Sequence, residues 1–214
     1  MNDIKTLNQY YGLERPDIEA VVPLSCKTIL EVGCGFGNLG KALIKRQDCT
    51  VDGVEINSEA SLHLENKYRK FWIGDVEKVE MMGALPEYDC VIFPDVLEHL
   101  NDPWRVLGRL VNKVKKGGYV VASIPNIRNL AILYRLVVQG QWKYEPSGIL
   151  DRGHLRFFTK DSIRQLFEEN PLKIEVWYAK RDRYAGSKRI LAETARLAIP
   201  DIDVCQYIVR AKKI

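Results

Sequence analysis

Glycines follow an apolar run in the segment "ILEVGCGFGNLG", which covers residues 29–40. Because glycine adopts positive φ angles and lets a ligand approach the backbone, a strand that ends in glycines before a helix is typical of a cofactor-binding loop. Two patterns fit these letters: Gly-x-Gly-x-Gly from Gly33, and Gly-x-Gly-x-x-Gly from Gly35. The second is typical of nicotinamide dinucleotide sites, and Glu55 lies 20 residues after Gly35, where such sites place an acid for the ribose. The glycines alone leave both interpretations open.

Acidic side chains accompany this loop and the ends of later apolar runs. Glu31 lies inside the first run, where a buried carboxylate is costly without a polar or cationic partner. Asp75 follows the run "KFWIG", and Asp95, Glu98 and His99 follow "YDCVIF". A pyrophosphate gains nothing from neighbouring carboxylates, whereas a ligand with a positive charge does. The acids therefore favour a ligand with a cationic end.

Short apolar or β-branched runs alternate with helix-like segments through the first half of the chain. This alternation predicts an α/β, doubly wound, mostly parallel sheet covered by helices on both faces. Ligands bind such sheets at the carboxyl ends of the strands, where the glycines and acids lie. The predicted strands cover 28–33, 50–56, 70–74, 88–93 and 118–125, and the predicted helices cover 37–47, 58–68 and 103–114.

The pattern changes after residue 125. A helical stretch near 128–139 and an aromatic, glycine- and proline-containing segment predict an insertion rather than a tight connection. Thr159 is the predicted N-cap of a following helix that ends before Pro171. Two final strands, at 172–180 and 203–213, are joined by about twenty residues that include the helix-like "KRILAETARLA". They predict an antiparallel edge pair and complete a seven-stranded sheet.

In combination, five segments resemble the class I S-adenosylmethionine-dependent methyltransferases. These segments span about residues 28–126 and occur in the family's order: "LEVGCGFG" (30–37), "VDGVEIN" (51–57), "IGDVE" (73–77), "YDCVIFPDVLEHLNDP" (88–103) and "LVNKVKKGGYVVASIPN" (110–126). The resemblance implies the Rossmann-like methyltransferase fold in one domain. Its implied parts are a cofactor-covering segment (1–27), a cofactor-binding half (28–125), an insertion or lid (126–158) and a C-terminal half (159–214).

The resemblance also implies roles for individual residues toward S-adenosylmethionine. The loop residues would wrap the methionine part, an acid after the second strand would accept the ribose hydroxyls, and an acid after the third strand would accept from the adenine amino group. An acid after the fourth strand and two residues of the N-terminal segment would contact the methionine end. In this order the cofactor residues are Glu31, Gly33, Gly35 and Gly37; Glu55 and Ile56; Asp75 and Val76; and Asp95, Tyr11 and Arg15.

Methyl transfer needs alignment more than covalent catalysis, and a hydroxyl acceptor also benefits from a proton acceptor. His99 and His154 are the two predicted bases, although either could instead be structural. The segment "LDRGHLRFFT" resembles bacterial methyltransferases linked to sugar and cell-surface polymer chemistry or to quinones. Arginine forks suit polar or anionic acceptors and aromatic rings suit flat ones. The predicted acceptor-binding residues are therefore Arg152, Arg156, Trp142 and Tyr144.

Composition bears on whether the protein binds a metal, a nucleic acid or a membrane. Five cysteines without a C-x-x-C pair, and three separated histidines, predict no metal site. A net charge of +4, without a strong basic stripe, predicts a small-molecule partner and no nucleic acid. No apolar run is long enough for a membrane span or a signal peptide, so a cytoplasmic protein is expected, with a homodimer left open. The alternatives are a nicotinamide-dependent oxidoreductase and a non-catalytic cofactor-binding module.

Overall fold

Seven strands form one sheet in the computed structural model, which describes residues 12, 14–64, 68–78, 83, 85–184 and 186–214. The strand order is β3-β2-β1-β4-β5-β7-β6. This order reverses direction beside β1, where doubly wound sheets open a ligand crevice. The strands are β1 (Thr28–Val32), β2 (Thr50–Glu55), β3 (Lys70–Ile73), β4 (Tyr88–Pro94), β5 (Val114–Pro125), β6 (Leu172–Arg181) and β7 (Val204–Lys213).

The first five strands pair in parallel, and the last strand reverses the direction. β7 is antiparallel to both of its neighbours, β5 and β6, so it lies inside the sheet and β6 forms the edge. The predicted α/β fold, its seven strands and its antiparallel pairing are confirmed. The parallel strands direct their carboxyl ends to one side of the sheet, and the segments that follow β1, β2, β3 and β4 meet there.

Helices connect these strands, and several begin at residues that favour helix starts. The Asp102 side chain accepts from the Arg105 amide, and Pro103 takes the first helical position. Thr159 is the N-cap of the helix that follows it, as predicted, and it also forms a capping box with Ser162. The helices are α1 (Pro16–Glu19), α2 (Asn38–Arg46), α3 (Ser61–Leu64), α4 (Pro103–Val111), α5 (Leu130–Leu133), α6 (Lys160–Glu168) and α7 (Ser187–Ala198); a π-helical turn, Tyr134–Val138, extends α5.

Two predicted helices differ from the observed ones. The helix predicted over 103–114 ends at Val111, because Val114 already pairs with Tyr88 of β4 and therefore belongs to β5. The helix predicted over 58–68 is a 3₁₀ turn, Ser58–Ala60, followed by α3, and residues 65–67 lie outside the described part of the chain. In the first case, pairing with a distant strand overrides the local helical pattern.

The core has two layers, one on each face of the sheet. Alternate β4 residues separate into them: Val91 and Phe93 pack in one layer, and Cys90 and Ile92 pack in the other. Both faces of the central strands are therefore covered, and a ligand can approach them only from their ends. An isolated bridge joins Asn126 to Phe158, so the two ends of the predicted insertion meet at the end of β5.

Candidate active site

The turn after β1 has the backbone geometry that its glycines predict. Gly33, Gly35 and Gly37 have φ angles of 73°, 50° and 77°, which side chains rarely allow. A Cβ atom at Gly33 would lie 2.4 Å from Val96 Cγ2. Gly40 differs, because it lies within α2 and a Cβ atom there would meet the Tyr68 hydroxyl at 2.3 Å. The first three glycines therefore shape the loop, and the fourth permits close packing.

A cavity of about 770 Å³ opens beside this loop at the carboxyl ends of the parallel strands. It brings together most of the residues predicted to bind the cofactor. Gly37 is not in its lining but precedes α2 as the N-cap, and Tyr11 lies outside the described residues. The lining includes Arg15, Glu31, Gly33, Gly35, Glu55, Ile56, Asp75, Val76 and Asp95.

Glu55, the last residue of β2, is hydrogen-bonded to two backbone amides. Its Oε2 accepts from the Gly35 amide at 2.8 Å, and its Oε1 accepts from the Asn57 amide at 2.9 Å. The side chain is buried. A carboxylate has about four acceptor positions, so these two bonds leave capacity for a pair of ligand hydroxyls.

The residues predicted to contact adenine, Asp75 and Val76, also line the cavity. Asp75 follows Gly74 at the end of β3, and its Oδ1 accepts from the Glu77 amide at 2.8 Å. Val76 is buried, whereas Ile56, which also lines the cavity, is 69% exposed. An exposed apolar side chain beside an acid can cover a flat ring while the acid accepts from its edge.

Glu31 is buried within β1 and accepts a hydrogen bond from the Tyr68 hydroxyl. Burial raises the pKa of Glu31 to about 8, although the bond from Tyr68 opposes the shift. Sequence reasoning predicts the cationic ligand as its partner. The structure adds Tyr68, which packs against Gly37 and Gly40 and which the sequence motifs do not indicate.

Asp95 connects the N-terminal segment to the ends of two distant strands. One carboxylate oxygen of Asp95 accepts from the Arg15 guanidinium, and the other accepts from Ser123 Oγ at 2.7 Å and from the Gln206 amide. Arg15 also donates to Ser123 Oγ at 2.8 Å and pairs with Asp17. Sequence reasoning missed Ser123 and Gln206, since only the pairing of β5 with β7 brings them here.

Both histidines predicted as bases also line this cavity. Their ring centroids are 4.7 Å apart. His99 Nδ1 lies 2.9 Å from the Gly153 carbonyl oxygen, and His154 Nδ1 lies 2.9 Å from that of Ile149. Burial lowers the pKa of His154. The two histidines, which the sequence offers as alternatives, therefore form a single cluster.

Glu98 belongs to this cluster as well, and the sequence prediction does not assign it a role. It is 1% exposed, and burial raises the pKa of its carboxyl well above the usual range. The signal that could have indicated it is its position next to His99 in "PDVLEHL". Its backbone carbonyl accepts from the amides of Leu155 and Arg156 at 2.8 and 3.0 Å, which fastens the insertion to the turn after β4.

The four residues predicted to bind the acceptor lie outside the cavity lining. Arg156 donates to the Asn101 carbonyl at 3.0 Å, and Arg152 is exposed. Trp142 and Tyr144 pack around Phe157, with centroid distances of 5.1 and 6.4 Å. Their acceptor role stays a prediction, and in this structure Arg156 and the aromatic pair make contacts within the chain.

Comparison with known proteins identifies the class. A family model described as a methyltransferase domain matches residues 13–175. A solved S-adenosylmethionine-dependent methyltransferase from Archaeoglobus fulgidus is 20% identical and has a TM-score of 0.65, with 96% of this chain and 97% of that chain covered. The fold and the match together define an S-adenosylmethionine-dependent methyltransferase, so the predicted family is confirmed, and the role of each loop residue stays a prediction.

The chain belongs to this methyltransferase-domain family. Its relatives include the ubiquinone biosynthesis O-methyltransferases of Thiobacillus denitrificans, 29% identical over 81% of this chain and 76% of that protein, and of Vibrio parahaemolyticus, 29% identical over 80% and 72%. The cofactor is S-adenosylmethionine. No helix within the described residues is both long and apolar enough to cross a bilayer.

Proposed function

We propose that this methyltransferase transfers the methyl group to a hydroxyl of a small-molecule acceptor, either a quinone-like ring or a sugar of a cell-surface precursor. The observation that carries this proposal is the polar wall of Glu98, His99 and His154, which faces the same cavity as the glycine loop. Relatives named O-methyltransferases support oxygen as the methylated atom.

The cofactor would lie across the ends of β1, β2 and β3, as the predicted roles require. Asp75 would accept from the adenine amino group, and Glu55 would accept the ribose hydroxyls with the positions that the Gly35 and Asn57 amides leave open. Arg15, which is held by Asp95, would pair with the methionine carboxylate. The methyl group would then be transferred inside the cavity that His99 and His154 also line.

Transfer breaks the sulfur–methyl bond and forms an oxygen–methyl bond, while the hydroxyl loses its proton. The positive charge of the sulfonium disappears during the transfer, so a site that excludes water lowers the barrier. A site that aligns the hydroxyl oxygen with the methyl group lowers it further. Each histidine Nδ1 lies next to a carbonyl oxygen, which can only accept, so in the neutral form of either ring Nδ1 would carry the proton and Nε2 the lone pair. The wall therefore offers groups that can orient a hydroxyl and take up its proton.

A radiolabelled methyl-transfer assay with a panel of acceptors tests this function. The panel would hold catechol-type quinol precursors, nucleotide sugars, free sugars and matched amines. We expect a methyl ether from a hydroxylated compound, and a large loss of turnover in His154→Ala with cofactor affinity retained. His63→Ala, which changes an exposed histidine outside the cavity lining, is the control. Methylation only of the amines would refute oxygen transfer, and cofactor binding without any product would favour the non-catalytic module.

A further inference from the structure

Glu98 has an unusual position for a carboxylate. It is 1% exposed, it lines the cavity, and neither of its carboxylate oxygens has a hydrogen-bond partner among the residues that the structure describes. A buried charge without a partner is costly. If Glu98 is protonated, its carboxyl group carries a hydrogen-bond donor that has no partner among the described residues. Both the ionised and the protonated form would therefore be stabilised by a ligand at this position.

Two histidines supply the rest of a binding group. One carboxylate oxygen of Glu98, one ring nitrogen of His99 and one of His154 all lie within 4.8 Å of one another. Metal-bound histidines typically donate their other ring N–H to a carbonyl or carboxylate, which fixes the ring and directs the lone pair to the metal. The Nδ1 atoms of both histidines make this contact, with the carbonyl oxygens of Gly153 and Ile149 at 2.9 Å.

The fold holds the three groups together although His154 is distant in sequence. Backbone bonds from Leu155 and Arg156 to the Glu98 carbonyl fasten the loop of His154 to the turn of Glu98. Gly153 allows the close approach, because a Cβ atom there would lie 3.1 Å from His99 Nδ1. Arg15, which also lines the cavity, is already paired with Asp95 and Asp17.

We propose that Glu98, His99 and His154 bind one divalent transition-metal cation. Two imidazoles and one carboxylate suit Zn²⁺, Mn²⁺, Fe²⁺ or Co²⁺, and three protein ligands leave a coordination position that faces the cavity. Metal–nitrogen bonds of about 2.1 Å allow ligand atoms at most about 4.2 Å apart, so small side-chain movements would close the site. The sequence predicts no metal, because the ligands come from segments that only the tertiary structure joins.

The open position would take the acceptor oxygen. A bound cation lowers the pKa of a coordinated hydroxyl, so the proton would leave to solvent and both histidines would act as ligands rather than as bases. This use of the metal rests on the proposed methyl transfer, whereas metal binding itself does not. The two can therefore be tested separately.

Metal binding can be measured on the untagged full chain after treatment with a chelator. Calorimetric titration with ZnCl₂ and MnCl₂, and visible absorption with CoCl₂, should show one cation per chain. Glu98→Gln and His154→Ala should weaken binding by about 100-fold or more, and His63→Ala should leave it unchanged. Thermal unfolding would show that the variants are folded, and metal should raise the melting temperature of the wild type and of His63→Ala but not that of Glu98→Gln or His154→Ala.

Absence of saturable uptake of all three cations by the wild-type chain would overturn the proposal. Equal affinity in folded Glu98→Gln and His154→Ala would do the same. If Glu98→Gln fails to fold, the metal affinity of His154→Ala decides the test. His154 is on the insertion, and replacing it by alanine does not bury a charge. Stoichiometric metal binding without methyl transfer to any acceptor would refute only the proposed function, and transfer that resists the chelator would refute only the role of the metal in it.

Discussion

The Gly35 amide donates to the Glu55 carboxylate over 2.8 Å and so joins the glycine turn after β1 to the end of β2. One side chain thereby holds the loop in place and presents acceptor positions to the cavity. The loop and the predicted ribose acid are therefore a single unit, and a change at Glu55 should affect both.

Replacing Glu55 by glutamine should weaken cofactor binding without unfolding the protein. The amide keeps one acceptor oxygen but loses the second, and it places a donor against a backbone N–H. The loss of charge-assisted bonds costs about 1.5–3 kcal/mol each, which is roughly a 10- to 100-fold loss in affinity. Calorimetry with S-adenosylmethionine measures this, with the exposed Glu59→Gln as control. Unchanged affinity would remove Glu55 from the cofactor site.

Gly33→Ala should destabilise the protein more than Gly140→Ala. Both glycines have positive φ angles, 73° and 63°, but an added Cβ meets Val96 at 2.4 Å in the first case and no atom of the described residues within 4 Å in the second. We expect about 1–2 kcal/mol from backbone strain at Gly140 and a larger loss at Gly33, where overpacking adds about 1–3 kcal/mol. Urea unfolding compares the two directly. Equal losses would mean that the loop adapts to the new methyl group.

Glu31 should make the cofactor-free protein less stable as the pH rises. Its pKa is about 8 in the folded state against an ordinary value of 4.5. Between these values the folded chain holds a proton that the unfolded chain releases, so the stabilisation present below pH 4.5 is lost progressively up to about pH 8. Melting curves from pH 5 to 8.5 should show this decline, at roughly 2–4 °C for each kcal/mol.

Glu31→Gln is the variant that separates this carboxyl from all other groups. Glutamine can still accept from the Tyr68 hydroxyl but does not titrate, so the slope of melting temperature against pH should become shallower. The exposed Glu87→Gln should leave the slope unchanged. A wild-type slope in Glu31→Gln would show that burial does not perturb this group.

Asp95→Ala should destabilise the protein more than Asp95→Asn. Asp95 has a φ angle of 57°, and asparagine tolerates this region better than alanine. Alanine also leaves Arg15, Ser123 and Gln206 without their shared acceptor. We expect a loss of about 1–3 kcal/mol for alanine, a smaller one for asparagine, and under about 1 kcal/mol for Asp48→Asn, which breaks a surface ion pair with Lys27. Chemical denaturation measures the free energy of unfolding of the three variants. A larger loss in Asp95→Asn than in Asp95→Ala would exclude backbone strain at residue 95 as the cause of the difference.

Local sequence was sufficient wherever short-range physics controls the structure. The glycine turn, the N-cap at Thr159 and the buried strands follow from backbone sterics, local hydrogen bonds and short continuous apolar runs. The order of motifs was sufficient for the cofactor class. Local pattern failed at the end of α4, where β4 competes for residue 114.

Contacts between distant segments required the tertiary structure. Arg15, Ser123 and Gln206 converge on Asp95 only because the ends of β4, β5 and β7 meet beside the N-terminal segment. His154 reaches Glu98 only because the insertion folds back and bonds to the turn after β4. Sequence spacing records neither relationship, since the distance between two side chains that far apart along the chain depends on the packing of everything between them. The residue types of the site were thus readable from the chain alone, and their grouping was decided by the fold.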